Sequence, residues 1–143
     1  MTNTKLFLKR WGPALLVMAA IFAASSRTNY ELPNFGRNDL WVKKLGHLCI
    51  YATLAWTYVR GLAFDGRPLT WRSVVLAVAA AGLYGATDEY HQSFVPGRGP
   101  AWLDVAIDTT GALLGAVAAA AWRWRRASSS KELGRAEDNG GLG

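Results

Sequence analysis

Lys44, His47 and Tyr51 stand at positions i, i+3 and i+7, a spacing that stacks an ammonium, an imidazole and a phenol along one face of a helix. Farther along, Asp88-Glu89-Tyr90-His91-Gln92 gathers two carboxylates, an imidazole and an amide. The link Val95-Pro96-Gly97-Arg98-Gly99-Pro100 is rich in turn residues: its glycines accept positive φ and its prolines restrict the chain. It is expected to hold Arg98 close to the acidic cluster, where a guanidinium can fork onto a carboxylate or a phosphate. Asp104, Asp108, Gly111 and Gly115 then follow at i, i+4, i+7 and i+11. They form one helical stripe, with two acids above a small-residue face that lets another helix approach closely. The candidate polar site is therefore Lys44, His47, Tyr51, Glu89, Gln92, Arg98, Asp104 and Asp108, and Gly111 and Gly115 are assigned to helix packing.

The elements that must carry these groups are apolar runs. Hydropathy marks Trp11 to Ser25, Leu45 to Phe64, Ser73 to Thr87 and Ala101 to Trp124, each near the length a bilayer requires. The fold class this predicts is all-α, an integral membrane bundle of four transmembrane helices. The parts are a cytoplasmic N-terminus over 1–10, a four-helix membrane domain over 11–124 and a disordered cytoplasmic tail over 125–143. That tail is polar and glycine-rich, with no apolar periodicity to offset its ordering entropy. A basic stretch before an apolar run also suits a cleaved signal peptide, with Ala23-Ala24-Ser25 at the cut. Trp11, Trp71, Trp102 and Trp122 at the expected interfaces favour intact spans. With the N-terminus inside, eleven Lys and Arg fall on the cytoplasmic side and five outside, so both termini are predicted to be cytoplasmic.

The net charge of +6 and pI near 9.8 would suggest nucleic acid in a soluble chain. Here the bases flank apolar runs, where anionic headgroups attract them, and the partner predicted is the lipid bilayer, not nucleic acid. The single cysteine, Cys49, lies in an apolar run and is expected to pack in the interior. Carboxylates in this setting need a partner inside the bundle. Those of Asp88 and Glu89 sit at a helix C-terminus, where the macrodipole disfavours them, with Lys44, His47 and Arg98 available to compensate.

Read in order, Lys44-x2-His47-x3-Tyr51, Asp88-Glu89-x2-Gln92-x-Phe94-x-Pro96-x-Arg98 and Asp104-x3-Asp108-x2-Gly111-x3-Gly115 resemble the VanZ-like family of bacterial membrane proteins. The likeness runs over about Ser25 to Gly115 and includes the Ser25-Ser26 pair. The family pattern usually has an acid where this chain has Lys43 and often an asparagine where it has Asp108, so Asp108 is expected to be protonated or paired with Lys43 or Lys44. The resemblance implies a multi-pass protein of the bacterial cytoplasmic membrane, linked through the family's namesake to teicoplanin resistance. It brings no established reaction.

The leading expectation is a cell-envelope protein whose outer polar cluster binds a lipid-linked or glycan headgroup, such as a cell-wall precursor, through Lys44 and Arg98. No HExxH, GxSxG, Walker A or nucleotide fingerprint is present, and no cofactor or resident metal is predicted. The alternative is a membrane hydrolase or transferase acting on a lipid phosphate, with His47 as general acid or base, Glu89 orienting it and Arg98 holding the phosphate. A bare phosphate would then need a divalent ion or protonated acids beside it, and carboxylate oxygens suit a hard ion. A proton-coupled transporter using His47, Glu89 and Asp108, and a purely structural subunit, are the other readings.

Overall fold

A computed structural model describes residues 3–28, 30–99 and 101–140, with side-chain placement through Ser130. Met1, Thr2, Asn29, Pro100 and 141–143, which include ends of the predicted N-terminus, turn and tail, lie outside the described residues. The described chain is all-helical: α1 (Asn3–Ser25), a single 3-10 turn (Gly36–Asn38), α2 (Asp39–Leu62), α3 (Trp71–Gln92) and α4 (Trp102–Gly140).

Local chemistry sets the helix ends. The Thr70 hydroxyl accepts the Ser73 N–H at 3.2 Å and caps α3. Asp39 opens α2, where negative charge is favoured. Its carboxylate accepts the Phe35 N–H at 3.1 Å and the Lys43 ammonium at 2.7 Å. The Lys43 hydrogen bond, followed by that from Phe35, holds the Asp39 carboxyl below the usual carboxylate range. Pro13 lies inside α1 and has no N–H for the carbonyl of Lys9, four residues earlier. Arg60 of α2 fills that gap, donating from Nη1 to the Lys9 oxygen at 3.0 Å.

The helices alternate in direction, so α2 and α4 run parallel. Lys44 meets Asp104, His47 meets Asp108, Leu48 lies on Gly111, Ala52 lies on Gly115, and Arg123 donates to the Ala63 carbonyl at 2.9 Å. α1 runs parallel to α3: the Tyr84 hydroxyl donates to the Met18 carbonyl at 2.8 Å, and Ser26 Oγ lies 3.1 Å from His91 Nε2. The buried stripe of α4 is Asp108, Gly111, Ala112, Gly115, Ala116, Ala119 and Ala120. That of α3 is Ala77, Ala81, Gly85, Asp88, Glu89 and Gln92. The interior is thus mostly small or polar, whereas Leu15, Leu16, Phe22, Val75, Leu83, Leu113 and Val117 face outward.

α1 and the Trp102–Ser130 stretch of α4 are long and apolar enough to cross a membrane. α2 and α3 have comparable lengths, but polar residues dilute their hydropathy: Lys43, Lys44, His47 and Arg60 on α2, Asp88 and Glu89 on α3. Two expectations are corrected. Cys49 is exposed, on the outward side of α2 and not in the interior. The segment from Arg125, read as disordered, continues α4 as helix to Gly140. Its side chains over 125–130 are exposed, and Ser128, Ser129 and Ser130 donate back to carbonyls four residues earlier. Once α4 is nucleated by packing, propagation requires no buried face.

Candidate functional site

The ends of all four helices that carry Ser25, Lys44, Gln92 and Asp104 surround a cavity of about 500 Å³. Lys44 Nζ donates to Asp104 Oδ1 at 2.6 Å, and His47 Nδ1 lies 3.0 Å from Asp108 Oδ1. These contacts rest on the close approach of α2 and α4 below them. A Cβ on Gly111 or Gly115 would overlap the Leu48 or Ala52 backbone, so only glycine allows the two parallel helices to set their polar stripes opposite each other.

Tyr51 follows one turn below His47 and is fully buried. Gly85 of α3 gives it and Asp108 room: a Cβ there would stand 3.2 Å from Tyr51 Cε1 and 3.3 Å from Asp108 Oδ2. The Tyr51 hydroxyl and Asp108 Oδ2 are both buried with no hydrogen-bond partner among the described residues.

On α3, Gln92 connects the acids to the arginine. Its Nε2 donates to Asp88 Oδ2 at 2.9 Å and Glu89 Oε1 at 3.3 Å, while its Oε1 accepts Arg98 Nη1 at 2.8 Å. Because one end of the amide donates and the other accepts, its orientation is fixed by its neighbours. Arg98 Nη1 also donates to the Ser25 carbonyl at 3.3 Å, tying the turn to α1. The turn is type II, with Pro96 at its second position, Gly97 at φ +78° and the Arg98 N–H donating to the Val95 carbonyl at 3.1 Å. Gly97→Ala is expected to cost about 1 kcal/mol, because a Cβ opposes positive φ, and to lower the thermal midpoint of the detergent-solubilised protein. An unchanged midpoint would show that the turn relaxes without cost.

The structure brings together every residue of the predicted site but rearranges its pairs. Asp108 is held by His47, not by Lys43 or Lys44, because Lys43 reaches back to Asp39 and Lys44 reaches Asp104. His47 is oriented by Asp108, not Glu89. Glu89 Oε2 instead accepts the Ala101 N–H at 3.0 Å, where the start of α4 has amides that lack intrahelical partners. Arg98 reaches the carboxylates through Gln92 rather than by a direct fork. Asp88, left out of the predicted set, is 5% exposed and lines the cavity; its place four residues before Gln92 on the same stripe is the signal for it.

A family model described as VanZ/LLP1 matches residues 4–123, from the first turn of α1 to Arg123 of α4. The chain belongs to the VanZ/LLP1 family. No curated protein and no solved structure matches it. Membership in VanZ/LLP1 thus covers all four packed helices and stops where α4 leaves the bundle. Outside the helices, the Thr28 N–H and hydroxyl both donate to Glu31 Oε2, at 2.8 and 3.0 Å, and hold its carboxyl below the usual range. Leu32 of the same connection lines the cavity.

Proposed function

We infer that this protein crosses the bacterial cytoplasmic membrane four times and binds the anionic headgroup of a lipid-linked or glycan cell-wall precursor in its cavity, on the extracytoplasmic face. The observation that carries this reading is the mixed lining of the cavity. Lys44, His47, Gln92 and Arg98, with the acids Asp88 and Asp104, line it together with the apolar side chains of Ala20, Ile21, Leu32, Leu40 and Ile50. A headgroup joined to a hydrocarbon chain has both characters. Among the described residues Arg98 bonds to the protein through Nη1, which leaves Nε and Nη2 to grip an anionic oxygen.

The membrane reading is supported by the distribution of side chains. Small and polar residues fill the interior of α3 and α4, Ile21, Tyr51, Leu54 and Val59 add larger buried side chains from α1 and α2, and many large apolar residues face outward on all four helices, as expected where lipid is the solvent. At the end opposite the cavity, Arg10 donates to the Gly61 carbonyl at 2.8 Å, and Arg126 lies over the Trp122 ring at 4.4 Å. This basic, aromatic end has the character of a cytoplasmic interface, with both termini on that side.

The test is binding of a polyprenyl phosphate to the purified full-length protein. Loss of one charge-assisted contact corresponds to about 1.5–3 kcal/mol, so Lys44→Ala and Arg98→Ala are each expected to weaken binding by roughly 10- to 100-fold. Unchanged affinity in both would overturn the assignment. A link to glycopeptide tolerance predicts that wild type, but not Arg98→Ala at equal membrane level, restores teicoplanin tolerance to cells lacking the protein.

The His47–Asp108 contact favours a second reading, a hydrolase or transferase acting on a lipid phosphate. Asp108 can hold the Nδ1 proton of His47 and leave Nε2 as the base. Release of inorganic phosphate from a lipid phosphate by wild type, abolished in His47→Ala, is the outcome that separates catalysis from binding alone.

A further inference from the structure

We propose that His47, Glu89 and Asp108 form a binding site for a divalent cation of the zinc or manganese class, beside the headgroup cavity. One ligand atom from each of these residues can be chosen so that all lie within 4.8 Å of one another. The residues come from α2, α3 and α4, so the site exists only once the bundle is packed. Ligand atoms about 2.1 Å from a common ion stand roughly 3.0–3.4 Å apart at bond angles between octahedral and tetrahedral. His47 Nδ1 and Asp108 Oδ1, at 3.0 Å, already have that separation. An ion would replace the proton they share, and its binding would release that proton to solvent.

Three further observations point to a cation. Asp108 is 1% exposed and its Oδ2 has no partner among the described residues. A carboxylate oxygen left in this state is costly unless a proton or a cation reaches it. The nearby charges also fail to balance. Asp88, Glu89 and Asp108 are all buried, whereas Lys44 is committed to Asp104 and Arg98 to Gln92 and the Ser25 carbonyl. Arg98 bonds only neutral acceptors and keeps its charge, so it and a protonated His47 offset two of the three acids at most, whereas Arg98 and a divalent ion held by neutral His47 offset all three. The donor set also has a chemical preference: an imidazole with two carboxylates suits zinc or manganese better than the all-oxygen shells of calcium and magnesium.

Three protein ligands leave zinc a further coordination position. Of the three ligands His47 lines the cavity, and a phosphate oxygen held there by Lys44 and Arg98 would take that position. This last step rests on the headgroup reading; the ion site itself does not.

The experiment uses full-length protein without a polyhistidine tag, purified in detergent, stripped with EDTA, loaded with Zn²⁺ or Mn²⁺ and dialysed. Elemental analysis is expected to find about one ion per chain in wild type, less than about a tenth of that in the near-isosteric Glu89→Gln and Asp108→Asn, and wild-type content in Arg98→Ala. Wild-type protein that retains neither ion overturns the proposal, as does equal retention in Glu89→Gln and Asp108→Asn. If those variants do not fold, the spectrum of Mn²⁺ in wild type decides: nitrogen coupling from an imidazole is expected, and its absence overturns the site. Arg98→Ala distinguishes the two failures. Ion retention with unchanged polyprenyl phosphate affinity removes the headgroup reading alone, and a lost ion site with intact Arg98-dependent lipid binding removes the metal alone.

Discussion

Gly115→Val is expected to be the most damaging single substitution in the bundle. A Cβ at this position would overlap the Ala52 carbonyl of α2, and a backbone carbonyl cannot turn aside as a flexible side chain can. Overpacking a core typically costs 1–3 kcal/mol, and here the obstruction is main chain, so a loss of about 3 kcal/mol or more is expected. The consequence extends beyond stability. α2 and α4 must separate to admit the valine, and Lys44–Asp104 and His47–Asp108 lie up the same seam at 2.6 and 3.0 Å. Gly115→Val should therefore lower the denaturation midpoint and weaken headgroup binding together, although residue 115 is not among the residues lining the cavity. For the midpoint, Gly46→Val is the control, since nothing lies within 4 Å of a Cβ there; Gly46 lines the cavity, so it is no control for binding. Equal midpoints for the two variants would show that the close approach of α2 and α4 does not hold the bundle together.

The same seam explains what could be read from the residues in advance. Periodicity is local, so the stripe Lys44, His47, Tyr51 and the stripe Asp104, Asp108, Gly111, Gly115 were both visible in the spacing, as was the turn that presents Arg98. Pairing between stripes was not visible, because it depends on the register of two helices far apart in the chain. That register is set where Leu48 lies on Gly111 and Ala52 on Gly115, and it carries Lys44 to Asp104 and leaves His47 for Asp108. Glu89 was read as orienting His47 in the hydrolase or transferase alternative; the demand of the Ala101 N–H for an acceptor has no signature in spacing. Likewise, the link from Pro13 through Lys9 to Arg60 is legible only afterwards, although a proline within a helix always frees a carbonyl. Helix continuing beyond Arg125 was missed because a search for buried periodicity is blind to a helix that extends from an already folded one.

A double-mutant cycle on His47 and Asp108, in EDTA-stripped protein, is expected to be strongly asymmetric. The two side chains share one contact but not one environment: His47 is 27% exposed at its side chain and Asp108 1%. His47→Ala leaves a carboxylate buried without its partner, a change that costs about 3–5 kcal/mol in buried pairs. Asp108→Ala leaves an imidazole that can be neutral and can turn one nitrogen toward the cavity it lines, so a loss nearer 1 kcal/mol is expected, the net value of an ordinary hydrogen bond. The double variant has no stranded charge and should be more stable than His47→Ala alone, giving a coupling of about 2 kcal/mol or more. Asp108→Asn should lie close to wild type, because an amide oxygen still accepts from Nδ1. Equal losses in the two single variants, with no coupling, would mean that water reaches Asp108 as readily as His47. A solvated Oδ2 would then need no cation beside it.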